Sequence, residues 1–372
     1  MSNLVITGGH VLTPVAERFS SIFINDGRIV EIASAASDKR GDGAAETDNR
    51  LDATGCYVTP GLIDLQVNGD PNCSLWGDPT ESELLAMRKA FVTVGVTSFL
   101  PTLITDDAKH LKVNVDRLTA WGAGVKAKWS TDNSGARMVG IHLEGPCLSP
   151  QRPGVHPPEW IVEPSVSLFE EIVNPSVKLV TMACERDSDS NCQKWLQERG
   201  VIVSLGHSNA TYDQAQTAFK AGVTMMTHTF NALPPLHHRE PGAVSAALLD
   251  RLVSCCVIAD GLHLSPQAVE LIYRMKGFEH TILVTDIAHI GTTGGGLVGS
   301  SITLDQAVRN VVKWGVTSFA NAIRMATFNA AKAIGVLDEV GCIQRDALAD
   351  LVIWDKETLA IKHVIVGGVV KT

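Results

Sequence analysis

Between Pro60 and Leu337, short apolar runs alternate with longer amphipathic stretches, a pattern that predicts βα units. Eight such runs stand out, at residues 61–65, 97–100, 138–143, 178–182, 201–205, 223–227, 254–258 and 281–285. The stretches between them carry helix signals. A helix over 81–93 follows Pro79 and Thr80, one over 212–221 follows Asn209, Ala210 and Thr211, and one over 305–314 follows Thr303. Eight parallel strands joined by crossovers predict an α/β fold, a closed TIM-like (β/α)8 barrel. An open doubly wound sheet is the alternative, but no GxGxxG follows the first run, and no internal repeat of fixed period occurs.

Outside this region the pattern is that of short strands. Residues 4–6, 21–24 and 28–32 read as strands, the last two joined at Asn25-Asp26-Gly27 as a hairpin. Residues 33–48, rich in Ala, Asp, Gly and Ser without periodicity, read as a loop before a strand at 56–58. Residues 349–354 and 361–366 repeat the strand character around a charged turn. Both ends are therefore expected to build one small β-sandwich domain, which divides the chain into 1–58, a barrel at 59–337, and 338–372.

Composition narrows the function classes. Hydrophobic residues at 45%, charged residues at 19% and 32 glycines suit a buried parallel sheet with tight loops. A net charge of -9 repels a phosphate backbone, so no nucleic-acid partner is expected. The first residues lack the basic and apolar regions of a signal peptide, and no apolar run is long enough for a bilayer. A soluble, cytoplasmic protein without a membrane partner is the expectation. The eight cysteines form no CxxC pair and read as reduced, buried, small hydrophobes; Cys147 either packs in this way or lines a pocket.

The C-terminal ends of the strands of such a barrel face one cleft, whatever their separation in sequence. In order, those ends carry Gln66 and Asn68, Glu144, His207, His228, His263 and Asp286. Two histidines and a carboxylate suit zinc or a similar divalent ion with open positions for water and substrate, and Glu144, His207 and His228 supply that set. Either histidine alone reads first as a side chain bonded to neighbouring backbone, and the combination with Glu144 reverses this in favour of the metal. His142, two residues before Glu144 and on the same side of the strand, is a partner of that ligand or a core histidine. Asp286 either caps a helix or, beside a metal, takes a proton from water and returns it to a leaving amine; the second reading makes it general base and acid.

The strings Pro60-Gly61-Leu62-Ile63-Asp64, His142-Leu143-Glu144-Gly145-Pro146, Leu205-Gly206-His207-Ser208-Asn209-Ala210, Thr227-His228-Thr229-Phe230-Asn231-Ala232 and Ala259-Asp260-Gly261-Leu262-His263 narrow the match. In this order and spacing they resemble the amidohydrolase superfamily and, within it, the N-acetylglucosamine-6-phosphate deacetylases, over nearly the whole chain. The resemblance implies metal-dependent hydrolysis of the acetamide of N-acetylglucosamine 6-phosphate to glucosamine 6-phosphate and acetate, in amino-sugar catabolism and cell-wall sugar recycling. Many superfamily members hold a second metal with an HxH pair, where this chain has Gln66 and Asn68. One divalent ion per subunit is therefore implied, zinc first, with iron or manganese also suited to the ligands.

The resemblance also implies that His156 and His263 contact the sugar and the acetamide oxygen. Asn231, Ala232 and Arg239 would bind the sugar phosphate, with Arg239 reaching across the interface of a homodimer. On this reading Asp286 activates water while the metal and His156 stabilise the oxyanion. Gln66, Asn68, Cys147 and His289 are further pocket candidates. An extra β excursion found after the equivalent of Asp286 in relatives is expected to be missing, and the glycine run at 294–296 reads as a connector. A different amidohydrolase activity, of D-aminoacylase or dihydroorotase type, and a catalytically silent scaffold are the alternative functions.

Overall fold

The computed structural model describes residues 3–13, 17–34, 49–122, 133–289, 292–293 and 296–372. Its centre is a parallel barrel of Leu62–Val67, Val96–Ile104, Arg137–Met138 continued by Ile141–Glu144, Val177–Met182, Ile202–Leu205, Met225–Met226, Ser254–Ile258 and Thr281–Val284. Each pairs in parallel with the next. The runs read as continuously apolar because both faces are covered: Leu62, Ile63, Phe99, Ile141, Val180, Val257 and Leu283 are all buried. The third strand is interrupted at Gly140, where φ is +156° and a β-carbon would lie 2.3 Å from Lys178 Cγ.

The last strand closes on the first. Asp286 N donates to Gln66 O at 3.0 Å, Asn68 N donates to Ile287 O at 2.8 Å, and Val67 bridges Ile287. Below this seam the buried Asp64 accepts from Thr285 Oγ1 at 2.5 Å and Thr285 N at 3.2 Å. Burial raises its carboxyl to about 6 despite those bonds. His142 lies in the barrel interior, within 2.8 Å of Thr181 Oγ1 and 3.3 Å of Thr102 Oγ1, and burial lowers it to about 4, so it is a neutral core histidine.

Local signals set the surrounding helices. Glu81–Thr93 starts at a capping box between Thr80 and Glu83, and Tyr212–Lys220 at one between Thr211 and Gln214. The third expected helix runs over Leu304–Lys313.

The two ends of the chain combine as expected into one strand-rich domain, and hydrogen bonding runs unbroken through all of it. Leu4–Leu12 lies between Glu17–Asn25 and Cys56–Pro60, and pairs in parallel with the latter. Cys56–Pro60 then pairs with Leu351–Asp355, and that strand with Ile361–Val366. The sheet curls, because Arg28, at the start of Arg28–Ser34, bridges Leu348 just before Leu351. Ile22, Ile29, Val58, Leu351 and Ile365 fill the enclosed core. The expected hairpin turns at Asp26 and Gly27, whose φ values of 48° and 76° match a two-residue primed turn. Of the loop read over 33–48, residues 33 and 34 belong to the strand Arg28–Ser34, and 35–48 lie outside the described residues. A strand at Asn49–Asp52, beside Leu4–Leu12, was not anticipated.

The stretch after Asp286 departs from expectation. Where no β excursion was expected, Thr292–Thr293 pairs antiparallel with Gly296–Leu297; residues 294–295 of the glycine run lie outside the described residues. Among the described residues, no helix is long and apolar enough to cross a membrane.

Barrel and terminal sheet are locked by a buried ion pair. Arg137 donates from Nε to Asp350 Oδ2 at 2.7 Å and from Nη2 to Oδ1 at 3.0 Å, and Gly367 N adds a bond at 2.7 Å. Their side chains are only 1% and 3% exposed. Replacing Asp350 with alanine removes the carboxylate that balances a buried guanidinium, so Asp350→Ala is expected to destabilise the fold by about 3–5 kcal/mol. Urea unfolding followed by circular dichroism measures this, and an unchanged midpoint would show that the pair is dispensable.

Candidate active site

Five of the nine described non-glycine residues with positive φ gather at one end of the barrel: His207 (46°), His228 (25°), Phe230 (78°), Ala232 (50°) and Asp286 (53°). The chain turns sharply as the strands end, and His207, His228 and Asp286, each the second residue past its strand, line the cavity at the barrel mouth. A cavity of about 160 Å³ opens there, lined by Asn68, Glu144, His156, His207, His228, Asn231, Ala232, His263 and Asp286. Most of the expected site residues, drawn from distant parts of the chain, therefore meet.

At its floor, three potential ligand atoms form a triangle. Glu144 Oε1 lies 3.0 Å from His228 Nε2 and 3.3 Å from His207 Nε2, and the two nitrogens are 3.1 Å apart. Ligands held about 2.0–2.2 Å from a tetrahedral ion are separated by roughly 3.3–3.6 Å, so the triangle needs little expansion to hold one. His207 Nδ1 sits 2.9 Å from Arg152 O, which can only accept, so Nδ1 carries the proton and Nε2 presents a lone pair. The donor set thus fits a divalent metal, and it is the one such group among the described residues. Burial opposes ionisation of Glu144, but the neighbouring His207 and His228 outweigh it and hold the carboxyl well below its usual range. Burial likewise opposes charge on His228, yet Glu144 raises it, so this negative centre attracts either a proton or a cation.

The two amides at the HxH positions serve the carboxylates. Gln66 Nε2 donates to Glu144 Oε1 at 3.0 Å, and Asn68 Nδ2 to Asp286 Oδ1 at 2.7 Å. Burial, reinforced by the charge of Glu144, pushes Asp286 up to about 7 against the pull of His228 and the Asn68 bond. Burial and then the neighbouring His207 lower His156 to about 3, so its ring is neutral. Thr105 N donates to His156 Nδ1 at 3.2 Å, which places the proton on Nε2, the atom 3.9 Å from Glu144 Oε2. His156 is thereby a hydrogen-bond donor at the metal triangle. His263 is oriented by Asp260, whose Oδ2 lies 2.6 Å from its Nδ1.

Three expected residues lie elsewhere. Cys147 is fully buried in the hydrophobic core and does not line the cavity, and burial pushes its thiol far up. His289 is exposed and also outside the lining. Arg239 is exposed and lines a separate cavity of about 650 Å³ with Arg152, Asn209 and Tyr212. Conversely, sequence reasoning missed Trp76, which lines the site and donates from Nε1 to Asn68 Oδ1 at 3.2 Å. No local motif distinguishes it, because it enters from the short hairpin Gly69–Asp70 and Cys73–Ser74.

Comparison with known proteins agrees with the fold and supplies the family. The chain belongs to the amidohydrolase family, whose model matches residues 57–371. It is 30% identical to the N-acetylglucosamine-6-phosphate deacetylase of Lysinibacillus sphaericus over 94% of this chain and 92% of that protein. It is 32% identical to the N-acetylgalactosamine-6-phosphate deacetylase of Escherichia coli O157:H7, over 80% and 83%. Among solved structures, a mutant N-acetyl-D-glucosamine-6-phosphate deacetylase from Mycobacterium smegmatis in complex with N-acetyl-D-glucosamine-6-phosphate superposes with a TM-score of 0.86, at 28% identity and 100% coverage of both chains.

Gly154 tests the metal triangle. Its φ is +57°, and a β-carbon there would lie 2.9 Å from His207 Cε1. Gly154→Ala is expected to displace His207 and leave substoichiometric metal after dialysis. Elemental analysis checks this, with wild-type metal content as the contrary result.

Proposed function

We propose that this chain is a metal-dependent deacetylase that hydrolyses N-acetylglucosamine 6-phosphate to glucosamine 6-phosphate and acetate, in amino-sugar catabolism and cell-wall sugar recycling. The observation that carries this reading is the buried triangle of Glu144, His207 and His228 sharing one cavity with Asp286 and the Nε2–H of His156. The named relatives supply the substrate class. A divalent ion in the triangle, zinc by the chemistry of two imidazoles and a carboxylate, would polarise the amide carbonyl and make water acidic at neutral pH.

Asp286 takes the proton of the attacking water at a carboxylate oxygen, while Asn68 holds the other oxygen in place. His156 Nε2–H donates to the carbonyl oxygen as negative charge develops there. Asp286 then returns the proton to the amine nitrogen, which leaves as the C–N bond breaks. His263 and Asn231, on the cavity wall, orient the sugar, and Ala232 offers its backbone.

For the phosphate we assign Arg239. Its exposure outside its own cavity supports a role in the site of a second copy, in a homodimer. Leu236, nearby in sequence, and Leu249, Leu252 and Leu262 are exposed apolar side chains that such a partner would cover. We take 59–337 as the catalytic domain and 1–58 with 338–372 as the terminal domain, and we place the protein in the cytoplasm.

An acetate-release assay alongside elemental analysis tests the reading. Preferred turnover of N-acetylglucosamine 6-phosphate over its unphosphorylated form supports it. Equal turnover of both removes the phosphate site, and faster turnover of N-acetylgalactosamine 6-phosphate moves the activity to the other sugar. Arg239→Ala is expected to raise KM for the phosphorylated sugar alone.

Asp286→Asn is expected to lower kcat on the order of 10²–10⁴-fold with metal content unchanged. The base works ionised, so activity rises as pH climbs through its pKa. That pKa is about 7 from burial and Glu144, and a neighbouring divalent cation favours the carboxylate and draws it lower. The pH profile of kcat/KM should therefore show an acidic limb centred below about 7 that the residual activity of Asp286→Asn lacks.

A further inference from the structure

Of the two histidines in the metal triangle, His207 alone has its far nitrogen fixed by the protein. Its Nδ1 bonds Arg152 O at 2.9 Å, whereas His228 Nδ1 is buried without a partner among the described residues. His207 also holds a left-handed backbone conformation, φ 46°, which residues with a β-carbon avoid unless their surroundings impose it. The groups that hold the residues after it lie outside the cavity.

The two residues after His207 are both gripped by one carboxylate. Glu185 Oε2 accepts from Ser208 Oγ at 2.7 Å, and Glu185 Oε1 accepts from Asn209 N at 2.7 Å. The grip then returns to the metal ligand, because Arg152 Nε donates to Asn209 Oδ1 at 3.1 Å and Arg152 O accepts the proton of His207 Nδ1. Glu185 belongs to the turn Cys184–Arg186 that follows the strand Val177–Met182, and Arg186 pins this turn through bonds to Leu148 O and Val162 O. Glu185 lines a separate cleft with Asp187, Ser190 and Gln193 and is not among the residues that line the substrate cavity.

We propose that Glu185 is a positioning residue for His207, setting both the angle and the tautomer of that ligand through Ser208, Asn209 and Arg152. This rests on the metal-binding reading above. Partners of this kind change metal affinity by about ten- to a hundred-fold when removed. Glu185→Ala is therefore expected to weaken zinc binding by that factor. Glu185→Gln, which keeps one acceptor for Asn209 N, should lose less. At saturating zinc both should regain most of wild-type kcat with KM unchanged.

The experiment is a zinc titration of the metal-free full-length protein against a chromophoric chelator, alongside its thermal unfolding without metal. Asp187→Ala controls for loosening of the turn, since that carboxylate bonds Gln193 of the next helix, at 2.9 Å to N and 3.2 Å to Nε2. Weaker zinc binding in Glu185→Ala, with apo unfolding near wild type and Asp187→Ala affinity unchanged, supports the proposal. Wild-type affinity in Glu185→Ala, or an equal loss in Asp187→Ala, overturns it. Should Glu185→Ala fail to fold, Ser208→Ala and Glu185→Gln decide in its place, and wild-type affinity in both overturns it. Failure of the wild-type chain to bind zinc would instead sink the metal-binding reading itself.

Discussion

Everything at the barrel mouth answers to one electrostatic constraint: Glu144 Oε1, His207 Nε2 and His228 Nε2 converge within 3.3 Å in a buried place. Atoms that all carry lone pairs do not gather away from water unless a positive charge lies among them. The surroundings hold them there nonetheless. Gln66 fixes the carboxylate oxygen, Arg152 fixes the ring of His207, and His156 turns its own proton inward because Thr105 occupies its other nitrogen. The site is thus built for a cation before it meets one.

The barrel brings these atoms together by ending its strands in conformations that side chains ordinarily avoid. His207, His228 and Asp286 each sit at positive φ just beyond a strand. The strain is tolerable because the strands beneath are held by parallel neighbours and by a continuous apolar core. Asp286 is additionally tied into the seam, where its backbone bonds Gln66. The step that closes the cylinder is the same step that sets Asp286 opposite Glu144.

Much of this was legible from residue patterns. The eight apolar runs match the barrel strands because burial on both faces leaves an unbroken apolar signature, and the helix at Glu81–Thr93 follows from its capping box. The residues around the triangle were readable because a barrel sends every strand end to one cleft. What escaped depends on tertiary geometry. Asn49–Asp52 is a short, exposed, polar strand that owes its form to pairing with Leu4–Leu12. Trp76 and Glu185 act through one or two hydrogen bonds from loops with no periodic signal. Cys147 and His289 stand near site residues in sequence, but proximity along a chain that turns at Gly145 and Pro146 or beyond Ile287 does not place a side chain in the cavity. The short hairpin after Asp286 rests on two-residue strands, below what a hydrophobic pattern resolves.

The terminal sheet bears on how such a chain is made. Cys56–Pro60 pairs on one edge with Leu351–Asp355, nearly three hundred residues later. During synthesis the early strands therefore leave the ribosome with an open, apolar edge that stays unpaired until almost the whole barrel has followed. Premature termination anywhere in the last strands would leave a sticky half-sheet attached to a nearly complete barrel. Translation speed and chaperone access thereby become as relevant to the yield of this protein as the stability of its finished form.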